Sequence, residues 1–183
     1  MMPPYPPLET PRLLLRPITL ADAPAMQAVF PQWEIVRYLD RWVPWPYPED
    51  GARRYLEDFL LPTIARGRWW SWTIRTKAEP DRLIGVIDLF DWPDDNRGFW
   101  IDPAFQGHGY ASEAAEAVTD YWFDVLKRPV LRIPKAVENV ASQRISEKQG
   151  MRRIATIEKD YVGGRLMSDL WEITAEAWHA RRR

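Results

Sequence analysis

Phe99-Trp100-Ile101-Asp102-Pro103-Ala104-Phe105-Gln106-Gly107-His108-Gly109-Tyr110-Ala111-Ser112-Glu113-Ala114-Ala115 reads as a strand, a glycine-bearing turn and an alanine-rich helix. Asp102-Pro103 ends the strand, because the residue before proline is pushed to extended geometry and proline cannot donate to a ladder. Gly107 and Gly109 carry no Cβ, so the backbone there can turn tightly and approach a ligand closely. Helical spacing resumes at once, with Ala111, Ala115, Val118, Trp122 and Val125 on one face. The first helical N–H groups have no internal partner and point back into the turn. Such a turn suits a phosphate or diphosphate, through N–H donors and the positive end of the helix dipole.

Two familiar phosphate loops are excluded by spacing. No Lys-Ser or Lys-Thr follows Gly109, and Ser112 stands where the third glycine of a Gly-x-Gly-x-x-Gly loop would be. A Gly-x-Gly turn between strand and helix is also often only a turn. The pattern that remains is Gln106-x-x-Gly109-x-Ala111. It resembles the coenzyme A loop of the GNAT superfamily of N-acetyltransferases, in which Gln or Arg is followed by two residues, Gly, one residue, and Gly or Ala. Trp100 to Phe105, Ala111 to Ala114, Glu138-Asn139-Val140-Ala141-Ser142 and Glu147-Lys148-Gln149-Gly150-Met151 resemble the ribosomal-protein N-terminal acetyltransferase branch, as does Leu8 to Pro17. The likeness spans nearly the whole chain and is weakest between about residues 31 and 80.

The expected fold is α/β (α+β), a single GNAT-like domain with a mixed, mostly antiparallel, V-split sheet flanked by helices. Residues 1–7 read as a proline-rich arm of no assignable function, and 8–183 as the acetyltransferase domain. Arg12 to Arg16 is a strand, and Thr19 caps a helix carrying Ala23, Met26 and Val29-Phe30, with Asp22 in its first turn. Residues 31–48 are irregular but too aromatic to be disordered. A second helix carries Ala52, Tyr55, Leu56, Phe59 and Leu60, and Pro62 is expected to kink or end it. Trp69–Arg75, Leu83–Phe90 and Arg97–Ile101 read as antiparallel strands joined through 78–81 and 91–96. Val130–Val137 follows the helix by a right-handed crossover and so runs parallel to Arg97–Ile101. Pro134 in its middle conflicts with a paired strand. The resemblance implies that these two strands splay apart for the pantetheine arm. Asn139 begins a short helix with Gly150 as its C′ residue. A final hairpin turns at 162–164, and Glu172 to Ala180 suggests a terminal helix.

Acetyl transfer from a thioester to an amine needs a diphosphate site, a donor for the oxyanion and an unprotonated amine. The resemblance implies cofactor contacts from Phe99, Trp100, Ile101, Gln106, Gly107, His108, Gly109, Tyr110, Ala111, Asn139 and Ser142, the loop acting mostly through backbone N–H. Ser142 is the candidate catalytic residue, as proton donor to the leaving thiolate. Asn139 and Ser142 also suit a helix start whatever the function. Glu147 and Lys148 are expected to form a structural pair. Asp88, Glu113 and Glu138 lie near the cleft by topology, and none is singled out as general base. His108 is expected to offer backbone rather than an imidazole base, and His179 to be exposed. The aromatic cluster of 31–48 is read either as the acceptor pocket or as a lid packed on its own helix.

The rest of the composition narrows the partners. A net charge of −1 gives no electrostatic reason to expect nucleic acid or a membrane. There is no cysteine, hence no disulfide or cysteine nucleophile, and no Asp/Glu/His spacing suggests a metal. No apolar run spans a bilayer and no signal peptide is seen, so the cytoplasm is the default. Arg181-Arg182-Arg183 reads as a solvated tail. The expected activity is transfer of an acetyl group from acetyl-CoA, the sole cofactor and a co-substrate, to a protein N-terminus or a small-molecule amine by direct attack. A homodimer stays open. The reading from another class is a non-catalytic acyl-CoA-binding sensor or interaction module.

Overall fold

In the computed structural model, which describes residues 4–182, eight strands form two sheets. The strands are β1 (Leu8–Glu9), β2 (Leu13–Pro17), β3 (Trp69–Thr76), β4 (Gly85–Trp92), β5 (Asp95–Ile101), β6 (Val130–Ala136), β7 (Arg152–Tyr161) and β8 (Gly164–Thr174). The first sheet is an antiparallel run β1-β2-β3-β4-β5, and the second is β6-β8-β7, also antiparallel. The helices are α1 (Ala23–Val29), α2 (Trp33–Val36), α3 (Gly51–Arg54), α4 (Leu61–Ala65), α5 (Tyr110–Asp120), α6 (Val140–Lys148) and α7 (Ala175–Ala180). Every residue of β3 is buried, because helices cover both faces of the first sheet's centre. Leu13, Leu15, Trp72, Ile74, Ile87 and Leu89 form the heart of that core.

β5 and β6 lie side by side with no ladder between them, which is the expected split. Asn96 pins its vertex: its Oδ1 accepts from Arg132 N–H at 2.8 Å, while Nδ2 donates to Phe90 O and Trp92 O. The bonds Ala175 N to Pro129 O and Val137 N to Met167 O place the odd-numbered residues of β6 in the ladder with β8. Pro134 therefore presents its missing N–H to the split and costs no ladder bond. On β5, the bond from Asp102 N to Ile84 O sets the opposite phase. Gly98 and Trp100 pair with β4, and the main-chain groups of Phe99 and Ile101 face the split.

Several elements depart from expectation. Within the described part of the first seven residues, Tyr5 is 5 % exposed, and its hydroxyl bonds both Ser71 O and Ser71 N–H. Trp72 Nε1 donates to Pro6 O, so the described part of this arm is docked on β3. Pro62 does not end its helix: a wider π turn over Tyr55–Leu60 precedes it and the chain stays helical to Ala65. A second π turn, Tyr121–Val125, extends α5; Leu126 N–H reaches Tyr121 O five residues back. That one-residue change of phase turns Val125 out to 58 % exposure. Residues 172–174 belong to β8, and Thr174 caps the terminal helix through Ala177 N–H. Glu147 and Lys148 do not pair, since adjacent helical residues do not face each other. His179 bonds Asp124, and Arg181 and Arg182 bond Glu116, Asp120 and Asp124, so residues 179–182 are tied to α5 and its π turn; Arg183 lies outside the described residues.

Candidate active site at the split between the sheets

The glycine turn after β5 builds the first part of the site. Asp102 accepts from Ala104 N–H, and Gln106 Nε2 donates to Ile101 O at 3.1 Å, closing the end of the strand. Gly107 and Gly109 both have left-handed backbones, φ 79° and 78°, the conformation that disfavours any side chain. Gly109 caps α5, and its carbonyl receives the first helical bond, from Glu113 N–H. Among the described residues, the N–H groups of Gly107, His108, Gly109, Tyr110, Ala111 and Ser112 have no protein acceptor. Six free amides at a helix mouth fit an anionic group such as a diphosphate.

From this turn a cavity of about 410 Å³ runs into the split. Phe99, Trp100, Ile101, Gln106, Gly107, Gly109, Tyr110, Ala111, Asn139 and Ser142 all line it, so the structure brings these sequence-selected residues together. His108 is the exception. Its ring is exposed, stacks on Tyr110 and bonds the carbonyls of Phe105 or Gln106. Gln106 spends its side chain on Ile101 O and its N–H on Pro103 O, so it shapes the turn. Asn139 caps α6 through Ser142 N–H at 3.4 Å while lining the cavity. Arg97 and Lys135 stand at the inner end, both buried, and neither pairs with a carboxylate among the described residues. Burial lowers Arg97 to about 10 and, with the Arg97 charge beside it, holds Lys135 well below the ordinary lysine range.

A second cavity of about 850 Å³ meets the first at Gly98, Phe99, Trp100 and Pro134. Its wall is aromatic: Trp42 stacks near Tyr55 at 6.0 Å and Phe59 at 5.6 Å, Phe59 meets Trp69 edge-on, and Trp69 meets Phe90 at 4.4 Å. The segment 31–48 thus contributes wall, held by main-chain bonds from Val162 to Leu39 and Gly163 to Arg37. Asp88 lies opposite Gly98 on the neighbouring strand and faces this cavity. Its Oδ1 is enclosed without a hydrogen-bond partner. Burial raises its carboxyl to about 6, and the neighbouring Ser71 hydroxyl and Trp69 indole offset part of that shift. Glu113 is spoken for by Thr10 and Arg12, and Glu138 is exposed outside both cavities. Nothing in the spacing singled out Asp88, because its partners come from other strands.

An anion cradle at a helix mouth, a split between strands and an aromatic cavity on the far side suit a coenzyme A-dependent acyltransferase. Residues 12–152 match the family model described as acetyltransferase (GNAT) domain, and the chain belongs to the GNAT acetyltransferase family. It is an N-acetyltransferase that takes acetyl-CoA as donor. The Bacillus subtilis (strain 168) protein named uncharacterized N-acetyltransferase YoaA is 31% identical over 160 residues, 81% of this chain and 84% of the relative. A ribosomal L7/L12 alpha-N-protein acetyltransferase, RimL, solved with coenzyme A, superposes with a TM-score of 0.78 at 17% identity, covering 92% of this chain and 97% of that one. The spermidine N-acetyltransferase from Vibrio cholerae, solved with CoA and spermine, gives 0.76 at 20% identity over 93% and 99%. The last two likenesses are of fold. Among the described residues no helix is long and apolar enough to cross a membrane, and no acidic, His or Cys cluster could hold a metal ion.

Proposed function

We propose that the aromatic chamber receives a primary amine carried on an apolar body, with Asp88 taking the proton from that amine. The observation that carries this is Asp88, opposite Gly98, with its enclosed and unpartnered Oδ1, half-buried in an aromatic chamber that opens on the first cavity. At neutral pH a carboxyl near 6 is mostly ionised, yet basic enough to accept a proton. The dry wall disfavours the charged ammonium and so favours the nucleophilic form of the amine, while its ring faces tolerate the cation on arrival.

Acetyl-CoA, when bound, supplies the activated acetyl group as a thioester. The six free amides at the mouth of α5 hold its diphosphate, and the main-chain groups of Phe99 with the Ile101 N–H orient the pantetheine arm as an added strand would. Phe99 N–H, facing the split, is placed to donate to the oxyanion. As the sulfur departs, the Arg97 charge eases its developing negative charge; Ser142 passes it a proton and regains one from solvent. Asn139 orients the arm.

The test is release of free thiol from acetyl-CoA with three sets of amines. These are peptides with a free apolar N-terminal residue, arylalkyl or alkyl monoamines, and amines flanked by carboxylates. Turnover with either apolar set and not with the carboxylate set is the expected result, and the first two sets separate a protein from a small-molecule acceptor. Turnover confined to the carboxylate set, or no thiol release with any amine, overturns the assignment.

A further inference from the structure

The first turn of α5 is gripped from far away in sequence. Thr10 Oγ1 donates to Glu113 Oε1 at 2.5 Å, and Arg12 N–H donates to the same oxygen at 2.8 Å. Arg12 Nε donates to Glu113 Oε2 at 2.7 Å, and its Nη1 donates to the His108 carbonyl at 2.8 Å. The guanidinium also lies over the Tyr110 ring at 4.7 Å. Four bonds and a ring contact thus bind the turn between β1 and β2 to the amide cradle, across about a hundred residues.

Two consequences follow from chemistry. The His108 carbonyl is the oxygen that Ser112 N–H would take if α5 ran one turn further back, since helical bonds join residues four apart. Arg12 holds that oxygen outside the helix and so weakens the competitor for the amides. Glu113 is also the one acid in the first turn of α5. A carboxylate there favours the helix by itself but repels a diphosphate seated at the same mouth. Arg12 cancels that charge where it stands.

We infer that Arg12 is a positioning residue for the donor's diphosphate end: it keeps the His108 carbonyl out of the helix and neutralises Glu113, so that the cradle stays open to an anion. Arg12 does not line either cavity, so the effect is exerted through His108 and Glu113. The inference rests on the assignment of the cradle as the diphosphate site.

The experiment measures KM and kcat with two donors, acetyl-CoA and S-acetylpantetheine, which lacks the diphosphate, for the intact protein, Arg12→Met, Arg12→Lys and Gly109→Val. Arg12→Met is expected to raise KM for acetyl-CoA roughly tenfold, the scale of a lost charge-assisted bond. KM for the amine stays put, and values with S-acetylpantetheine match the intact protein. Arg12→Lys, which keeps the charge but not the fork, falls between. A parallel loss with S-acetylpantetheine overturns the inference, because a general packing defect would act on both donors. If Gly109→Val weakens acetyl-CoA and Arg12→Met does not, the clasp alone is wrong. If neither variant changes KM for acetyl-CoA, the cradle assignment falls with it.

Discussion

At the mouth of α5 the ligand surface is main chain; across β5 it is side chain. The cradle is six amides set by two left-handed glycines and a helix start, features carried by a few consecutive residues. The acceptor chamber gathers its rings from 31–48, the helix at 55–60, β3 and β4, and its carboxylate from the middle of β4. On the proposed assignment the first surface binds a chemical constant, the diphosphate, for which backbone suffices. The second must match a particular amine, and only side chains can be changed one at a time to do so.

The sharpest way to break this contrast is Asp88→Asn. Loss of a general base is expected to lower kcat by about 10²–10⁴-fold with KM for acetyl-CoA unmoved. In the intact protein kcat/KM falls as pH drops through about 6, and that limb vanishes in the variant. The folded carboxyl sits above its unfolded value of ~3.9, so the native state holds the proton more tightly and stability declines as pH rises from about 4 to 6. Asp88→Asn should therefore melt higher at pH 7, by up to about 3 kcal/mol in stability, while being nearly inactive. An unchanged pH profile in steady-state kinetics removes Asp88 from the reaction.

Gly109→Val acts on the other side. Forcing a β-branched residue to φ 78° costs ~1–3 kcal/mol, or refolds the turn. Calorimetry should show coenzyme A binding weakened by about 5- to 150-fold. The neighbouring atom is only the tip of Arg12, so packing gives way and the backbone decides. Unaltered affinity would show that the amides are not the grip. Smaller still is Trp42→Ala on the outer wall. Losing its contacts with Tyr55 and Phe59, worth about 0.5–1.5 kcal/mol, should raise KM for the amine about two- to tenfold and leave KM for acetyl-CoA alone. A matching shift in both KM values would mean that the two chambers are not separate.

The same contrast explains what could be read from the residues. The main strands, the glycine turn and the cap at Asn139 are local or near-local patterns, and the structure has them; the split came from the family resemblance, with Pro134 only marking a conflict with pairing. The aromatic segment could be read only as wall or lid, because which rings meet depends on the fold. Asn96 gave no signal, though three bonds at the vertex make it the pin of the split. The two π turns were hidden because the apolar spacing before each continues as an ordinary helix would. The clasp of Arg12 on Glu113 joins residues about a hundred apart and leaves no trace in either neighbourhood.

Tyr5 fastens the first described residues to the central strand of the first sheet. Its hydroxyl is seated on Ser71, 66 residues further along, and Pro6 receives the indole of Trp72. That segment has its seat on β3, and its contacts exist only where the strand is in place. Trimming the chain to begin at Leu8 would leave an indole N–H and an edge-on ring contact of the central strand without their counterparts.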